Sequence, residues 1–226
     1  MTPPNALIFD FDGLICDTEG CLVRAGKHVF SLHGVEFPFQ RWLDVVGTAT
    51  PHNFWVPWLA ELTGGPVDET EALEEFESHN RAGTGQLVPN DGVVDLLDIA
   101  ENEGIEVGVA SSSSISWVGG LLEQLGLRSR FSHVLTRGDV ANAKPAPDLY
   151  ILAAERFGTD PSHCVALEDS HNGSLSAIRA GMPVVVVPNE LTRHQDLQHA
   201  TLQVQSLAEV TPELLRRLRQ EHQPRS

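Results

Sequence analysis

The hydrophobic positions divide the chain into a part that alternates strands with helices and a part that is helical throughout. Residues Ala6, Leu7, Ile8 and Phe9 form a short run that is apolar on both faces, which is typical of a buried parallel strand. From Gly92 onward, short apolar runs alternate with segments of helical spacing. The predicted strands are 6–9, 105–110, 133–136, 164–167 and 183–187, with 202–204 at an edge, and the predicted helices are 93–103, 116–125, 146–157, 175–180 and 212–220. This order predicts an α/β fold with a doubly wound parallel sheet.

The stretch between the first strand and Gly92 has a different pattern. It contains no convincing strand, and its apolar residues recur at helical spacing in four groups: Leu22, Ala25, Val29 and Leu32; Trp42, Leu43 and Val46; Phe54, Trp58 and Leu62; and Leu73 and Phe76. Asp17-Thr18 is an N-cap signal, and 83–92 is rich in turn residues. The sequence therefore predicts a core domain, 1–16 and 86–226, with an inserted helical domain, 17–85. Pro57 is expected to kink its helix.

Composition excludes several classes of partner. The formal net charge of −16 argues against nucleic acid and against an anionic membrane surface, since both need a basic footprint. No apolar stretch approaches the length of a membrane span. The three cysteines lack metal-ligand spacing, so we expect reduced thiols. Met1 to Asn5 carry no basic residue, so we expect no signal peptide. Together these expectations indicate a cytoplasmic location. The oligomeric state is left open, and a monomer is compatible with the sequence.

Two carboxylates follow the first strand, one residue apart. Asp10 and Asp12 would point the same way in extended chain, and Gly13 would let the backbone turn sharply beside them. Like charges so close repel each other, and a divalent cation that prefers oxygen ligands, such as Mg2+, would remove the repulsion. The alternative is that both acids are ordinary turn and cap residues.

Polar groups also follow two other predicted strands. Ser111 ends 105–110, and Glu168 and Asp169 end 164–167, while Lys144 leads a neighbouring helix. Because ligands of open α/β sheets bind beyond the carboxyl ends of the strands, we expect these groups to meet Asp10 at one edge. The alternative for 168–170 is a helix cap, and for Lys144 a solvated lysine. The chain has only two lysines against thirteen arginines, which favours a specific role for Lys144.

Such a set supports phosphoryl transfer. Asp10 could attack a phosphoryl group and form an aspartyl-phosphate, and Asp12 could protonate the leaving oxygen and later deprotonate water. Mg2+ would lie between Asp10, Asp12, Glu168 and Asp169. The Ser111 hydroxyl, the backbone N–H groups after it and the Lys144 ammonium would bind the phosphoryl oxygens.

Four motifs in order resemble those of the haloacid dehalogenase superfamily, in its phosphatase and β-phosphoglucomutase-like branch with a helical C1-type cap. They are Asp10-Phe11-Asp12-Gly13, Val109-Ala110-Ser111-Ser112-Ser113, Lys144-Pro145-Ala146-Pro147-Asp148 and Leu167-Glu168-Asp169-Ser170. The resemblance implies a Rossmann-like core and an insert that acts as a cap, excludes water and shapes specificity. It implies Asp10 as nucleophile, Asp12 as acid/base and backbone metal ligand, and Asp169 and Glu168 as metal ligands. Phosphate binding then belongs to Ser111, Ser112, Lys144 and Gly13.

We expect a Mg2+-dependent phosphatase for a small phosphorylated metabolite, with a sugar phosphate as one candidate. A sugar-phosphate mutase is the alternative. The β-phosphoglucomutases that this chain resembles carry other residues at three places: a cap histidine where this chain has Leu22, a cap arginine where it has Thr48-Ala49-Thr50, and a lysine where it has Ser114. A signalling module that stores phospho-aspartate is a third hypothesis. The spacing of Asp10 and Asp12, the insert and the length argue against it.

Overall fold

The computed structural model describes residues 2–46 and 53–222. It contains a sheet of six parallel strands: β1 (Ala6–Phe9), β2 (Glu106–Ala110), β3 (His133–Leu135), β4 (Cys164–Glu168), β5 (Val184–Val186) and β6 (Leu202–Gln203). The strand order is β3-β2-β1-β4-β5-β6. This confirms the predicted α/β class and its doubly wound parallel sheet. β1 lies between β2 and β4, and all of its residues are buried, as their apolar character on both faces predicts.

The helices are α1 (Thr18–Leu32), α2 (Phe39–Leu43), α3 (Val56–Thr63), α4 (Glu69–Thr84), α5 (Val93–Glu103), α6 (Ile115–Gln124), α7 (Asp148–Arg156), α8 (His171–Arg179) and α9 (Pro212–Glu221). Two of them begin two or more residues from the predicted start. α7 begins at Asp148 rather than 146, because Pro147 takes the N-cap position. α8 begins at His171 rather than 175, because the Ser170 side chain accepts a hydrogen bond from Gly173 N and caps the helix. None of the described helices is both long and apolar enough to cross a bilayer.

The chain divides into two compact units, one formed by Met1–Cys16 with Val88–Ser226 and the other by Asp17–Leu87. The second, which we call the helical unit, contains α1 to α4, and its α1 packs against α4. Its core is aromatic, with Trp55 stacked on Phe76 at 5.0 Å between ring centroids. The expected kink at Pro57 is wrong. Pro57 lies in the first turn of α3, where its missing N–H has no intrahelical partner to lose.

Gly92 shows how closely α5 approaches the chain before α9. It has φ of 80°, and a Cβ on it would lie 2.0 Å from the backbone nitrogen of Ala208. Gly104, at the other end of α5, also has a positive φ, of 67°, but a Cβ there would meet nothing within 4 Å. The two glycines therefore share a backbone conformation and differ in steric room.

We expect Gly92→Ala to lower the free energy of unfolding by about 3 kcal/mol or more, since both backbone strain and overlap act on it. Gly104→Ala should lower it by about 1–2 kcal/mol, from the strain alone. Urea unfolding followed by circular dichroism measures both values. Equal losses in the two variants would show that the approach to Ala208 does not constrain the fold.

Candidate active site

The carboxyl ends of β1, β2 and β4 bring the candidate residues to one edge of the sheet. Main-chain hydrogen bonds continue past the strands and fix these positions: Asp10 N donates to Leu167 O at 2.8 Å and Ser111 N to Leu135 O at 3.0 Å. β1 is followed in the chain by β2 on one side, whereas its other neighbour, β4, is followed by β5, so the connections that leave these two adjacent strands run in opposite directions across the sheet. That arrangement creates the crevice in which open α/β sheets bind ligands.

Lys144 joins two acidic side chains at this edge. Its Nζ lies 2.5 Å from Asp10 Oδ1 and 2.6 Å from Glu168 Oε1. The side chains are 6%, 11% and 0% exposed respectively, so the three charges are almost fully removed from water. A buried charge is tolerated when it is paired, and one ammonium here is shared by two carboxylates. With both acids ionised, the cluster would therefore carry an excess of negative charge.

The pKa values of the cluster reflect that imbalance. Burial raises the pKa of Asp10 from 3.8 to about 8, and Glu168 and Asp12 act in the same direction, while Lys144 opposes them. Burial alone would lower the pKa of Lys144, but its contacts with Asp10 and Glu168 raise it above its ordinary value. Lys144 therefore stays a cation, and the Asp10 carboxyl group binds a proton more tightly than an aspartate that is exposed to water.

The same edge can hold a metal ion. One carboxylate oxygen from each of Asp10, Glu168 and Asp169 lies within 4.8 Å of the others, and all three residues are buried. Oxygen donors with excess negative charge are the ligand set that Mg2+ prefers. The residues present thus fit a divalent cation. Such an ion would supply the positive charge that Lys144 alone cannot provide to the carboxylates.

Glu168 is fixed from several sides. Oε1 accepts from Lys144 and from the buried Tyr150 hydroxyl at 2.6 Å, and Oε2 accepts from Asp169 N at 3.2 Å. Helix α8 passes directly over this carboxylate, so that a Cβ on Gly173 would lie 2.0 Å from both oxygens. Glycine at this position in the first turn of α8 is what allows Glu168 to sit there.

Asp169 and Gly13 explain each other in a similar way. Asn189 Nδ2 donates to Asp169 Oδ2 at 2.7 Å. Gly13 has φ of 82°, and a Cβ on it would lie 2.4 Å from the same oxygen. A side chain at position 13 would therefore both strain the backbone and displace Asp169. Asn90 holds the turn in place, since its side-chain amide donates to Gly13 O at 3.0 Å and Leu14 O at 2.9 Å.

The carboxylate of Asp12 contacts the loop after β2 and the first turn of α6. Oδ2 accepts from Ser113 Oγ at 2.6 Å and from Ser111 Oγ at 3.3 Å, and Oδ1 accepts from the indole N–H of Trp117 at 2.9 Å. Asp12 is not in the group of carboxylates within 4.8 Å among the described residues. The side chain of Ser112 differs from its neighbours, because its Oγ is buried and makes no hydrogen bond in the described part of the chain.

The structure thus brings Asp10, Asp12, Gly13, Ser111, Lys144, Glu168 and Asp169 to one edge, while their chemical roles remain predictions. Sequence reasoning missed the residues that hold them, which are Asn90, Ser113, Trp117, Tyr150 and Asn189. The sequence gives no local signal for most of these, because each reaches its partner from a distant position; Tyr150 lies 18 residues from Glu168 and Trp117 lies 105 from Asp12. Thr48, Ala49 and Thr50 fall outside the described residues.

Comparison with known proteins agrees with these motifs. A family model described as haloacid dehalogenase-like hydrolase matches residues 7–187. YhcW of Bacillus subtilis (strain 168) is 38% identical over 211 residues, which cover 93% of this chain and 96% of YhcW. Fructose-1-phosphate phosphatase YqaB of Escherichia coli (strain K12) is 32% identical, with 80% and 95% covered. Among solved structures, CbbY from Rhodobacter sphaeroides in complex with phosphate superimposes with a TM-score of 0.71 at 28% identity, covering 91% of this chain and 96% of that one.

The raised pKa of Asp10 leads to a prediction about pH and metal. Because the folded protein binds this proton more tightly than the unfolded chain, the metal-free protein should lose stability as pH rises from about 4 to about 8. A divalent cation must displace the proton, so stabilisation by Mg2+ should increase over the same range and level off above about pH 8. Thermal unfolding with and without Mg2+ at several pH values measures both trends. Asp10→Asn should remove this contribution to the pH dependence of stability, and a Mg2+ effect of the same size at pH 6 and pH 8.5 would contradict the account.

The approach of α8 to Glu168 leads to a second prediction. Gly173→Ala should force the carboxylate aside and lower the free energy of unfolding by about 2 kcal/mol or more. Gly120→Ala is the matched control, since Gly120 also lies within a helix but a Cβ there meets nothing within 4 Å. Removing that glycine should stabilise the protein by up to about 1 kcal/mol. Urea unfolding compares the variants, and a neutral effect of Gly173→Ala would contradict the packing described.

Proposed function

The chain belongs to the haloacid dehalogenase-like hydrolase family, and from that premise we propose that it is a Mg2+-dependent phosphatase that acts through an aspartyl-phosphate on Asp10. The family and the phosphatase relative make it a phosphoric monoester hydrolase. The substrate in this proposal is a small phosphorylated metabolite, with a sugar phosphate favoured by the likeness to fructose-1-phosphate phosphatase YqaB.

One observation carries the proposal: a buried nucleophile candidate is held by the only cation in contact with it among the described residues. Lys144 binds Asp10 Oδ1 and leaves the other carboxylate oxygen of Asp10 able to attack. The bond to Glu168 Oε1 prevents the ammonium from moving away from the site. A fixed positive charge at the point where negative charge develops is the largest single contribution that a phosphoryl-transfer site makes.

In the first half of the reaction, an oxygen of Asp10 attacks phosphorus while the bond from phosphorus to the leaving oxygen breaks. Asp12 gives its proton to that oxygen and becomes a carboxylate. In the second half, a water molecule attacks the phosphorus of the aspartyl-phosphate, Asp12 takes the water proton, and Asp10 is released with inorganic phosphate. Two displacements, each with its proton accounted for, replace one difficult step.

The remaining residues bind the phosphoryl group. The Ser111 hydroxyl lies beside the proposed acid, donating to Asp12 Oδ2 at 3.3 Å, and α6 begins shortly after it, where a helix N-terminus favours an anion. The buried Ser112 Oγ, which makes no hydrogen bond to the described residues, offers a further donor. Asp10, Glu168 and Asp169 would hold Mg2+ through side-chain oxygens, and Asp12 through its backbone carbonyl. When bound, the ion would supply the positive charge that neutralises both the acids and the phosphoryl oxygens.

The helical unit completes the proposal. We assign to it the part of a cap that admits the metabolite and excludes water during transfer, with specificity set by its side chains. The cytoplasmic location expected from the sequence is kept, and the three cysteines, which are buried and form no disulfide among the described residues, agree with reduced thiols.

The mutase alternative is less well supported by the residue at position 114. Ser114 caps α6, its Oγ accepting from Trp117 N at 3.3 Å, and therefore serves the helix rather than a second phosphate group. A mutase would interconvert isomers without net release of phosphate and would require a bisphosphate activator. A signalling module would instead hold phospho-Asp10 for long periods without turnover. Both outcomes are distinguishable from hydrolysis in the assay below.

We expect the purified protein to release inorganic phosphate from at least one sugar phosphate in a panel, in the presence of Mg2+ but not of a chelator. Asp10→Asn, which keeps the shape but removes the nucleophilic carboxylate, should lower kcat by about a thousandfold or more. A malachite-green phosphate assay measures release, and sugar analysis of the same samples detects isomerisation.

Asp98→Asn is the matched control, because Asp98 is an exposed surface acid that pairs with Arg130 at 2.8 Å. Its turnover should remain within about twofold of the wild type, since exposed ion pairs contribute little. Full activity in Asp10→Asn would overturn the mechanism. No phosphate release from any member of the panel would overturn the proposed reaction.

A further inference from the structure

The two oxygens of Asp12 face different kinds of hydrogen-bonding group. Oδ1 accepts from the indole N–H of Trp117, and Oδ2 accepts from the hydroxyls of Ser113 and Ser111. An indole N–H can only donate, whereas a hydroxyl can donate or accept. The environment of the carboxyl group is therefore asymmetric.

That asymmetry decides which oxygen can carry a proton. A carbonyl oxygen accepts a hydrogen bond better than the hydroxyl oxygen of a carboxylic acid, so the indole N–H favours the form in which Oδ1 is the carbonyl. Ser113, at 2.6 Å, can donate to Oδ2 when Asp12 is ionised and can rotate to accept from it when Asp12 is protonated. The hydrogen bonds at both oxygens can thus be kept in both states.

We propose that Trp117 is a positioning residue that holds Oδ1 of Asp12, so that Oδ2 is the oxygen that gives the proton to the leaving group and takes it back from water. This inference rests on the proposed function, in which Asp12 is the acid and base. Trp117 does not touch the reacting atoms in this account, and it acts through the orientation of Asp12. Trp117 is half-buried and lies in the first turn of α6, directly after the loop that supplies Ser111 and Ser113.

The leaving group provides a test that a purely structural role would not satisfy. Phenol is a weaker acid than p-nitrophenol, so phenyl phosphate needs a proton from Asp12 during cleavage more than p-nitrophenyl phosphate does. Trp117→Phe keeps most of the ring and removes the N–H. We expect kcat/KM for phenyl phosphate to fall by about tenfold or more, as for loss of a hydrogen bond to a charged group, and kcat/KM for p-nitrophenyl phosphate to fall by less than about threefold.

Ser116→Ala is the matched control. Ser116 is exposed in the same turn of α6, and its hydroxyl lies 3.0 Å from that of the capping residue Ser114. This variant disturbs the start of α6 without removing the indole, and it should leave the ratio of the two kcat/KM values unchanged. An equal loss for both substrates in Trp117→Phe, or no loss for either, would overturn the proposal.

A second measurement does not depend on activity. The chain has four tryptophans, so protein labelled with 15N at the indole should give up to four indole N–H resonances. The one that disappears in Trp117→Phe should be the one that moves in Asp12→Ala, while the other resonances stay in place. Should Trp117→Phe fail to fold, Asp12→Ala alone decides, because a single resonance is expected to move.

The two arms separate the inference from the proposed function. No indole shift in Asp12→Ala would overturn the positioning contact even if the protein is an active phosphatase. A clear shift in a protein that hydrolyses neither aryl phosphate nor any member of the sugar phosphate panel would overturn the proposed function, and with it the catalytic purpose assigned to the contact.

Discussion

The site depends on the two ion pairs that Lys144 makes. Its ammonium binds Asp10 and Glu168 at once, in a place where all three side chains are almost free of solvent. Two carboxylates so close repel each other in a medium of low effective dielectric, and separation of one of them would leave an unpaired buried charge. The lysine therefore holds the acids together, and at the same time it offers the positive charge that an incoming phosphoryl group needs.

The surrounding backbone is arranged to keep these charges in position. Gly13 and Gly173 leave room for the carboxylates of Asp169 and Glu168, and both positions would place a Cβ within 2.4 Å of a carboxylate oxygen. Tyr150 and Asn189 then donate to the same two acids. Rigid support of this kind fixes reacting groups in the geometry that they need before substrate arrives, which is how a site obtains catalysis from position and charge.

Much of the fold follows from local pattern. The apolar runs predict the six strands and, together with the helices between them, a parallel sheet. The polar residues directly after three of those runs predict which side chains meet. The pattern does not predict where α8 begins, because the signal is a single capping serine at position 170. It also misread Pro57, whose effect depends on whether it falls inside a helix or in its first turn.

The supporting residues were beyond sequence reasoning for a different reason. Trp117, Tyr150 and Asn189 look like ordinary core or loop residues, and their contacts with Asp12, Glu168 and Asp169 exist only once the strands are aligned. A single sequence is enough to identify candidates for the residues that react. The hydrogen bonds that orient those residues come from tertiary structure.

The account is tested most directly by looking for the covalent intermediate. The protein would be mixed with a 32P-labelled phosphomonoester that it hydrolyses, quenched in acid within the first turnover and digested to locate the label. We predict label on the peptide that contains Asp10 in the wild type and none in Asp10→Asn. Turnover without any covalent label, or label retained on another residue, would contradict the central claim that Asp10 is the nucleophile.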